Sequence, residues 1–335
     1  MNIRDRKGLK QTASTRLCES SYDPRLLALL YISVSVGVSL VLAIVTYILQ
    51  EQIGGTGGLA GIGTRSVLVT VQAVLQLAST LLIPFWDMGL IYTSVQLARG
   101  KAAYPVSLTA GFRRFGPVLR LLLLRAAITL GLCILCANLS SGIFLMTPLS
   151  NPLLEILQSL EAEIISGNAA NFTIDDATAA AMAQTLLPVI PIFLILFLII
   201  AVPILYRLRM SDYLLMEEKK TGAFEAVILS WRMTRGRVFS LFRLDLSFWW
   251  FYGLQALSVV LLYGDWLLSV LGITLPMSAD VTYFLMYGLY SIFSVAVFWR
   301  FGSYVQTTYA VAYDALRYHA AMPLPKSVPA EDSQI

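Results

Sequence analysis

Histidine is nearly absent: the chain holds one, His319, close to its end. A single imidazole there cannot supply a His-based metal cluster or the base of a catalytic triad. Cysteine is scarce as well, with Cys18, Cys133 and Cys136 alone, too few for a disulfide framework. Cys133 and Cys136 fall one helical turn apart inside an apolar run, whereas a redox pair needs an aqueous thiolate beside a helix N-terminus. They read as helix packing. Charge is the third shortage, at 13% of residues where soluble domains carry about a quarter. The acids form no metal-ligand pattern, and neither a Walker loop nor a Gly-x-Ser-x-Gly elbow occurs. Gly55-x-Gly57-x-x-Ala60 has no strand before it and reads as a flexible turn. No catalytic, cofactor-binding or metal-binding residue is therefore assigned, and neither an enzyme activity nor a cofactor is expected.

What fills the chain instead is apolar: 57% of its 335 residues are hydrophobic, and they come in runs. About 20 apolar residues cross the hydrocarbon of a bilayer. Six runs are long enough, at about 26–49, 67–98, 118–147, 186–208, 238–263 and 281–304. The predicted fold class is all-α, a polytopic membrane helix bundle of six transmembrane helices. The first run exceeds the 7–15 residues, roughly, of a signal-peptide core, so it stays in the membrane. Residues 1–24 read as a basic cytoplasmic tail without periodicity, 25–318 as the transmembrane domain, and 319–335 as a disordered cytoplasmic tail. Pro84 is expected to kink the second span. Three segments, Gln50–Ser66, Leu149–Ala183 and Gly264–Asp280, together hold eight acids and one base, Arg65. Lys and Arg mark the cytoplasmic side, which places both termini inside and the acidic loop 148–183 outside.

The stretch Tyr213–Phe251 organises the rest. Phe224, Val227, Ile228 and Trp231 recur at i, i+3, i+4, i+7, one apolar stripe of an interfacial helix over Gly222–Thr234. Lys219, Lys220, Arg232, Arg235 and Arg237 surround it. A second interfacial helix is expected at Pro105–Phe115, with Leu108, Phe112 and Phe115 as its stripe and Arg99, Lys101, Arg113 and Arg114 as a matching basic patch. These cations are candidate contacts for anionic lipid headgroups, or serve only as topology signals. A shift of 120 positions lays the second-and-third-span hairpin over the fourth and fifth spans, with Gly116 on Gly236 and Leu121 on Leu241. This suggests a parallel hairpin repeat. It also lays Asp87 on Arg207 and Arg125 on Asp245, charges about 17 Å from each basic turn. Charges at such depth face the bundle interior and usually pair. Three readings stay open for these four: fixed ion pairs, a proton or ion path, or side chains reaching the inner headgroups.

Ser230-Trp-Arg-Met233, Gly236, Leu241-Phe242 and Asp245-Leu-Ser-Phe248, with Tyr309 and Tyr313 near the end, resemble an uncharacterised family of bacterial multi-pass membrane proteins. That family is similar in turn to the membrane domain found ahead of some glycerophosphodiester phosphodiesterases. The chain departs from it at Pro203-Ile204, where the family often has Pro-Gly, and in its long outer loop. The resemblance implies a bacterial inner membrane and no mechanism. Two functions are open. One is an accessory or scaffold protein that contacts anionic lipids or membrane partner proteins through its basic inner face. The other is a small-solute or lipid transporter, suggested by Pro188, Pro191 and Pro203 in the fourth span. Nucleic acid is not an expected partner, because the basic clusters flank membrane spans.

Overall fold

The computed structural model describes residues 3, 5–55, 61–163, 184–218, 220–264, 267–268 and 278–319. Lys219, most of the acidic outer loop and the tail after His319 lie outside the described residues. Among the described residues every regular element is helical. Five helices are long and apolar enough to cross a membrane, and a bent pair makes a sixth span if counted as one. Side chains such as Val67, Val74 and Leu77 point outward along these helices. A water-soluble protein does not tolerate such continuous apolar surface. The protein is a membrane protein of the all-α class.

The chain divides into two compact units, Met1–Leu122 with Met210–Ile335, and Leu123–Arg209. The first unit begins with α1 (Arg6–Cys18), where an unstructured tail was expected. Asp5 caps it by accepting from the Gly8 amide. Leu9, Ala13 and Leu17 repeat every four residues, so one face is apolar. Leu9 and Ala13 are fully buried, and Leu17 packs on Leu27, Leu97 and Ala103. Three small or medium apolar residues in a polar segment make a weak signal, which is why composition alone reads as tail.

Two long helices follow, α2 (Pro24–Gly55) and α3 (Gly61–Ala98). The latter runs as one helix through Pro84. A 3-10 turn, Pro105–Thr109, then leads into the single turn α4 (Ala110–Arg113). This segment lies against α3 so closely that glycine is required on both sides. A Cβ on Gly89 would stand 1.7 Å from the Leu108 carbonyl oxygen, and one on Gly111 would stand 2.0 Å from that of Phe85. The expected apolar stripe therefore faces protein in part. Leu108 is fully buried, and Phe112 and Phe115 stack on Phe85 with centroids 5.6 and 4.7 Å away.

Later elements of the first unit are α9 (Ser211–Glu217), α10 (Ala223–Met233), α11 (Val238–Leu246), α12 (Trp249–Leu262) and α13 (Ala279–His319). The last is 41 residues long and packs on α1, α2, α3 and α12. Where one continuous fifth span was expected, α11 and α12 meet at a 64° bend. A break frees backbone carbonyls, which low-dielectric surroundings do not tolerate unpaired. Helix α1 supplies a donor: Lys10 Nζ reaches the Ser247 carbonyl at 2.9 Å, and Arg6 adds a 3.5 Å contact to the Arg243 carbonyl, which also accepts from the Ser247 amide. Lys10 also sits 4.0 Å from the Phe248 ring centre.

In the second unit, α5 (Phe115–Leu145) contributes its part from Leu123 onward, followed by α6 (Asn151–Glu163). The fourth span comprises α7 (Val189–Leu196), a π-helical turn at Phe197–Ala201 and α8 (Val202–Leu208). Pro203 has no N–H, and its ring crowds the carbonyl four residues back, at Ile199 inside that turn. Leu132, Cys136 and Ala201 form the buried contact, with Phe193 and Phe197 against it. Cys136 is a small packing residue there.

Candidate functional site

Three elements of the first unit bring their charged ends together. Arg99 follows the last turn of α3, Glu217 and Glu218 end α9, and Tyr313, Asp314 and Arg317 lie within a turn and a quarter of α13. Arg99 grips Asp314 with two nitrogens, at 2.5 and 3.2 Å, and reaches Glu217 Oε1 at 2.6 Å. The other oxygen of Glu217 accepts from both Tyr313 and Arg317. Arg317 closes the network on Glu218 at 2.6 Å and on the Tyr313 hydroxyl at 3.1 Å. Side-chain exposure is 1% for Arg317 and 5% for Glu217. Burial acts to lower the Arg99 pKa, but its bonds to Asp314 and Glu217 outweigh burial and hold it above the usual arginine range.

Two cations and three carboxylates make a cluster centred on buried Arg317 and Glu217, with Arg99, Asp314 and Glu218 partly exposed at its edge. Removal of any one would strand a charge in a poorly solvated place. Its chemistry is that of a clasp between α3, α9 and α13, since no member is left as an open acid or nucleophile. Arg99 was expected on the lipid-facing patch and is instead inside this clasp. Arg114 likewise turns inward and donates to the Leu215 carbonyl of α9.

Asp87 accepts a hydrogen bond from the Tyr31 hydroxyl, and the neighbouring Trp86 donates to the Tyr31 carbonyl at 3.1 Å. These bonds tie α3 to α2. Asp245 is half-buried on α11; Arg125 on α5 and Arg207 on α8 are half-buried in the second unit.

The outer surface of α10 is organised differently. Its packed face consists of Ala223, Ala226, Ser230 and Met233; the first three are small and bring the helix backbone close to α9. The large residues point away: Phe224 is 68% exposed, and Ile228 and Trp231 are exposed too. Val227 is half-buried. Lys220, Arg232 and Arg235 are exposed, as is Arg113 on α4, while Arg237 is half-buried. Among the described residues Arg232 and Arg235 have no ion-pair partner.

A family described as a protein of unknown function (DUF975) matches residues 1–320. The chain belongs to this family. No curated protein and no solved structure matches it. Within this DUF975 chain, part of the motif that carried the resemblance is packing and turn residues, whereas Trp231, Arg232 and Phe242 are exposed. Ser230, Met233, Leu241 and Phe248 are buried, and Gly236 takes a positive φ of 73° in the turn before α11. Phe248 meets Tyr304 and Tyr309 with centroids 5.9 Å apart in each case. Tyr309 shares a 2.7 Å hydrogen bond with Tyr252, and Tyr313 belongs to the clasp.

The sequence reading missed the carboxylate half of that clasp. Glu217 and Glu218 sit in a charged run that looks solvated, and Asp314 stands alone among aromatic and small residues. One signal was available: Arg317 and Tyr313 share a face of the last helix, one turn apart, beyond the length a bilayer needs.

Proposed function

We propose that this DUF975 protein is an accessory or scaffold protein of a bacterial inner membrane, with both termini in the cytoplasm. In this reading it holds anionic lipid, and membrane partner proteins gathered with it, against a basic inner face. It performs no reaction of its own. The observation that carries the reading is the surface of α10: Phe224, Ile228 and Trp231 project from a helix whose other face is buried, beside exposed Arg232 and Arg235. An apolar stripe flanked by cations fits the headgroup boundary of an anionic leaflet.

The test is reconstitution of wild type and the Arg232→Ala/Arg235→Ala/Arg237→Ala variant in nanodiscs with mixed zwitterionic and anionic lipid. Each cation near an anionic surface contributes about 1 kcal/mol. The wild type should retain anionic lipid through purification, and the variant should lose most of that enrichment, as should the wild type in high salt. Equal lipid profiles for correctly inserted wild type and variant, unchanged by salt, would leave these arginines as topology signals and defeat the proposal.

A further inference from the structure

A cavity of about 550 Å³ lies between α2, α3 and α13 of the first unit. It belongs to neither the clasp nor the surface of α10. Three one-sided patterns line it: Ser39, Ala43, Thr46 and Tyr47 on α2, Gln76, Ser79 and Ile83 on α3, and Tyr283 and Tyr287 on α13. From Tyr287 to Arg317 along α13 is about 45 Å at helical rise, so the cavity occupies the half of the unit remote from the clasp. Pockets of about 300–1,000 Å³ are the size that holds small ligands.

The lining mixes apolar surface from Leu42, Ala43 and Ile83 with hydroxyl and amide groups, and it carries no formal charge. Ser39 donates its hydroxyl hydrogen to the Ser35 carbonyl at 3.0 Å, and Ser79 donates to that of Gln76 at 2.8 Å. Both hydroxyl oxygens remain as acceptors. Among the described residues the side-chain polar groups of Thr46, Gln76, Tyr283 and Tyr287 have no hydrogen-bond partner. Tyr287 is only 7% exposed and is one of the lining residues. Unmet donors and acceptors at membrane depth are costly; Gln76 is exposed, but Thr46 and Tyr283 are half-buried and Tyr287 is buried, and an apolar guest would leave those three unmet. A charged guest would lose its hydration and find no counter-charge. What fits is a neutral group with several hydroxyls, which the amide and phenols can bond while the tyrosine rings cover its C–H faces.

We propose that this cavity binds a small, uncharged, hydroxyl-rich group: a free polyol or monosaccharide, or the sugar headgroup of a glycolipid. The proposal is independent of the reading of α10. The experiment uses the full chain in nanodiscs. One arm adds glycerol, myo-inositol, D-glucose and D-galactose at millimolar concentration in plain phospholipid. The other includes monoglucosyl-diacylglycerol in the bilayer. Glucuronate, glycerol 3-phosphate and choline are charged controls.

Saturable binding of a neutral probe is expected in one arm, the free-sugar arm marking a solute and the glycolipid arm a headgroup. Gln76→Leu should weaken it at least tenfold by removing the amide at nearly constant volume. Ala43→Trp should abolish it by filling the space from another helix, and its thermal midpoint checks the fold independently of Gln76→Leu. The Arg232→Ala/Arg235→Ala/Arg237→Ala variant should bind as wild type does, which separates a failure here from a failure of the lipid-surface reading. No saturable binding in either arm, binding retained in both cavity variants, or charged probes binding as well as neutral ones would overturn the proposal.

Discussion

Glu217 is the side chain on which most of the inner-end polar contacts converge. Its two oxygens meet Arg99, Arg317 and Tyr313, and it is almost completely buried. Breaking a buried pair from one side typically costs about 3–5 kcal/mol, because the partner charge is stranded. Glu217→Ala should therefore lower thermal stability steeply in detergent or nanodiscs, and Glu217→Gln, which keeps an acceptor for Tyr313, should lower it less. Equal, small effects from both would show that water screens the cluster. At Gly111 the argument is steric. A methyl group would stand 2.0 Å from the Phe85 carbonyl, a backbone atom that cannot rotate away, so Gly111→Ala should force the turn off α3. Loss of protection from hydrogen exchange at residues 105–113 is the measurement. Gly116, with open space around its Cβ position, serves as the control, where alanine should be neutral or slightly stabilising.

At the scale of the element, α1 and the bent fifth span depend on each other. The bend leaves carbonyls that α1 caps through Lys10, and α1 gains in return a place to bury Leu9 and Ala13. A hydrogen bond from a charged donor contributes about 1.5–3 kcal/mol. Lys10→Met keeps most of the apolar stem and removes that bond. The expected result is faster hydrogen exchange in both α1 and residues 243–251, with the spans α2 and α3 unaffected. Faster exchange in α1 alone would mean that the bend is stable without its cap. Helix α10 shows the opposite economy. Small residues face the protein and large ones face out, so its hydrophobic stripe marks an outward surface rather than a core.

At the scale of the molecule, the proposed orientation has a direct check. Met146, just past the end of α5, is 90% exposed, and Cys18 at the end of α1 is exposed as well. In intact cells a membrane-impermeant thiol reagent should label Met146→Cys in a Cys18→Ser background. The native Cys18 should react only after permeabilisation. The reverse pattern would invert the topology and with it the assignment of α10 to the cytoplasmic face. The hairpin repeat meets a mixed outcome in backbone terms. Helical segments precede the span in both hairpins, yet Gly236 takes a left-handed conformation while Gly116 sits inside α5, and the bent pair α11 and α12 stands where the first hairpin has one continuous helix.

Composition and period alone determined the class of the molecule. Hydrophobic runs are local quantities, and about 20 apolar residues have few stable fates other than a membrane helix, so the spans, the apolar stripe of α10 and the long last helix were all legible residue by residue. A resemblance to an uncharacterised membrane-protein family was legible from the Ser230–Phe248 stretch for a related reason, since its buried residues and turn glycine leave a fixed spacing, and the chain belongs to a family of unknown function. Tertiary structure alone decided which charges meet. Arg99 finds Asp314 across 215 positions of sequence, and no periodicity carries information over that distance. The same holds for the bend between α11 and α12, where no proline marks the break and its cap comes from Lys10. It holds also for the cavity, whose hydroxyls and amide look like ordinary helix residues until α2, α3 and α13 stand together. Hydropathy records what each segment prefers as solvent, whereas partner choice depends on chain reversals that bring distant segments into hydrogen-bonding range.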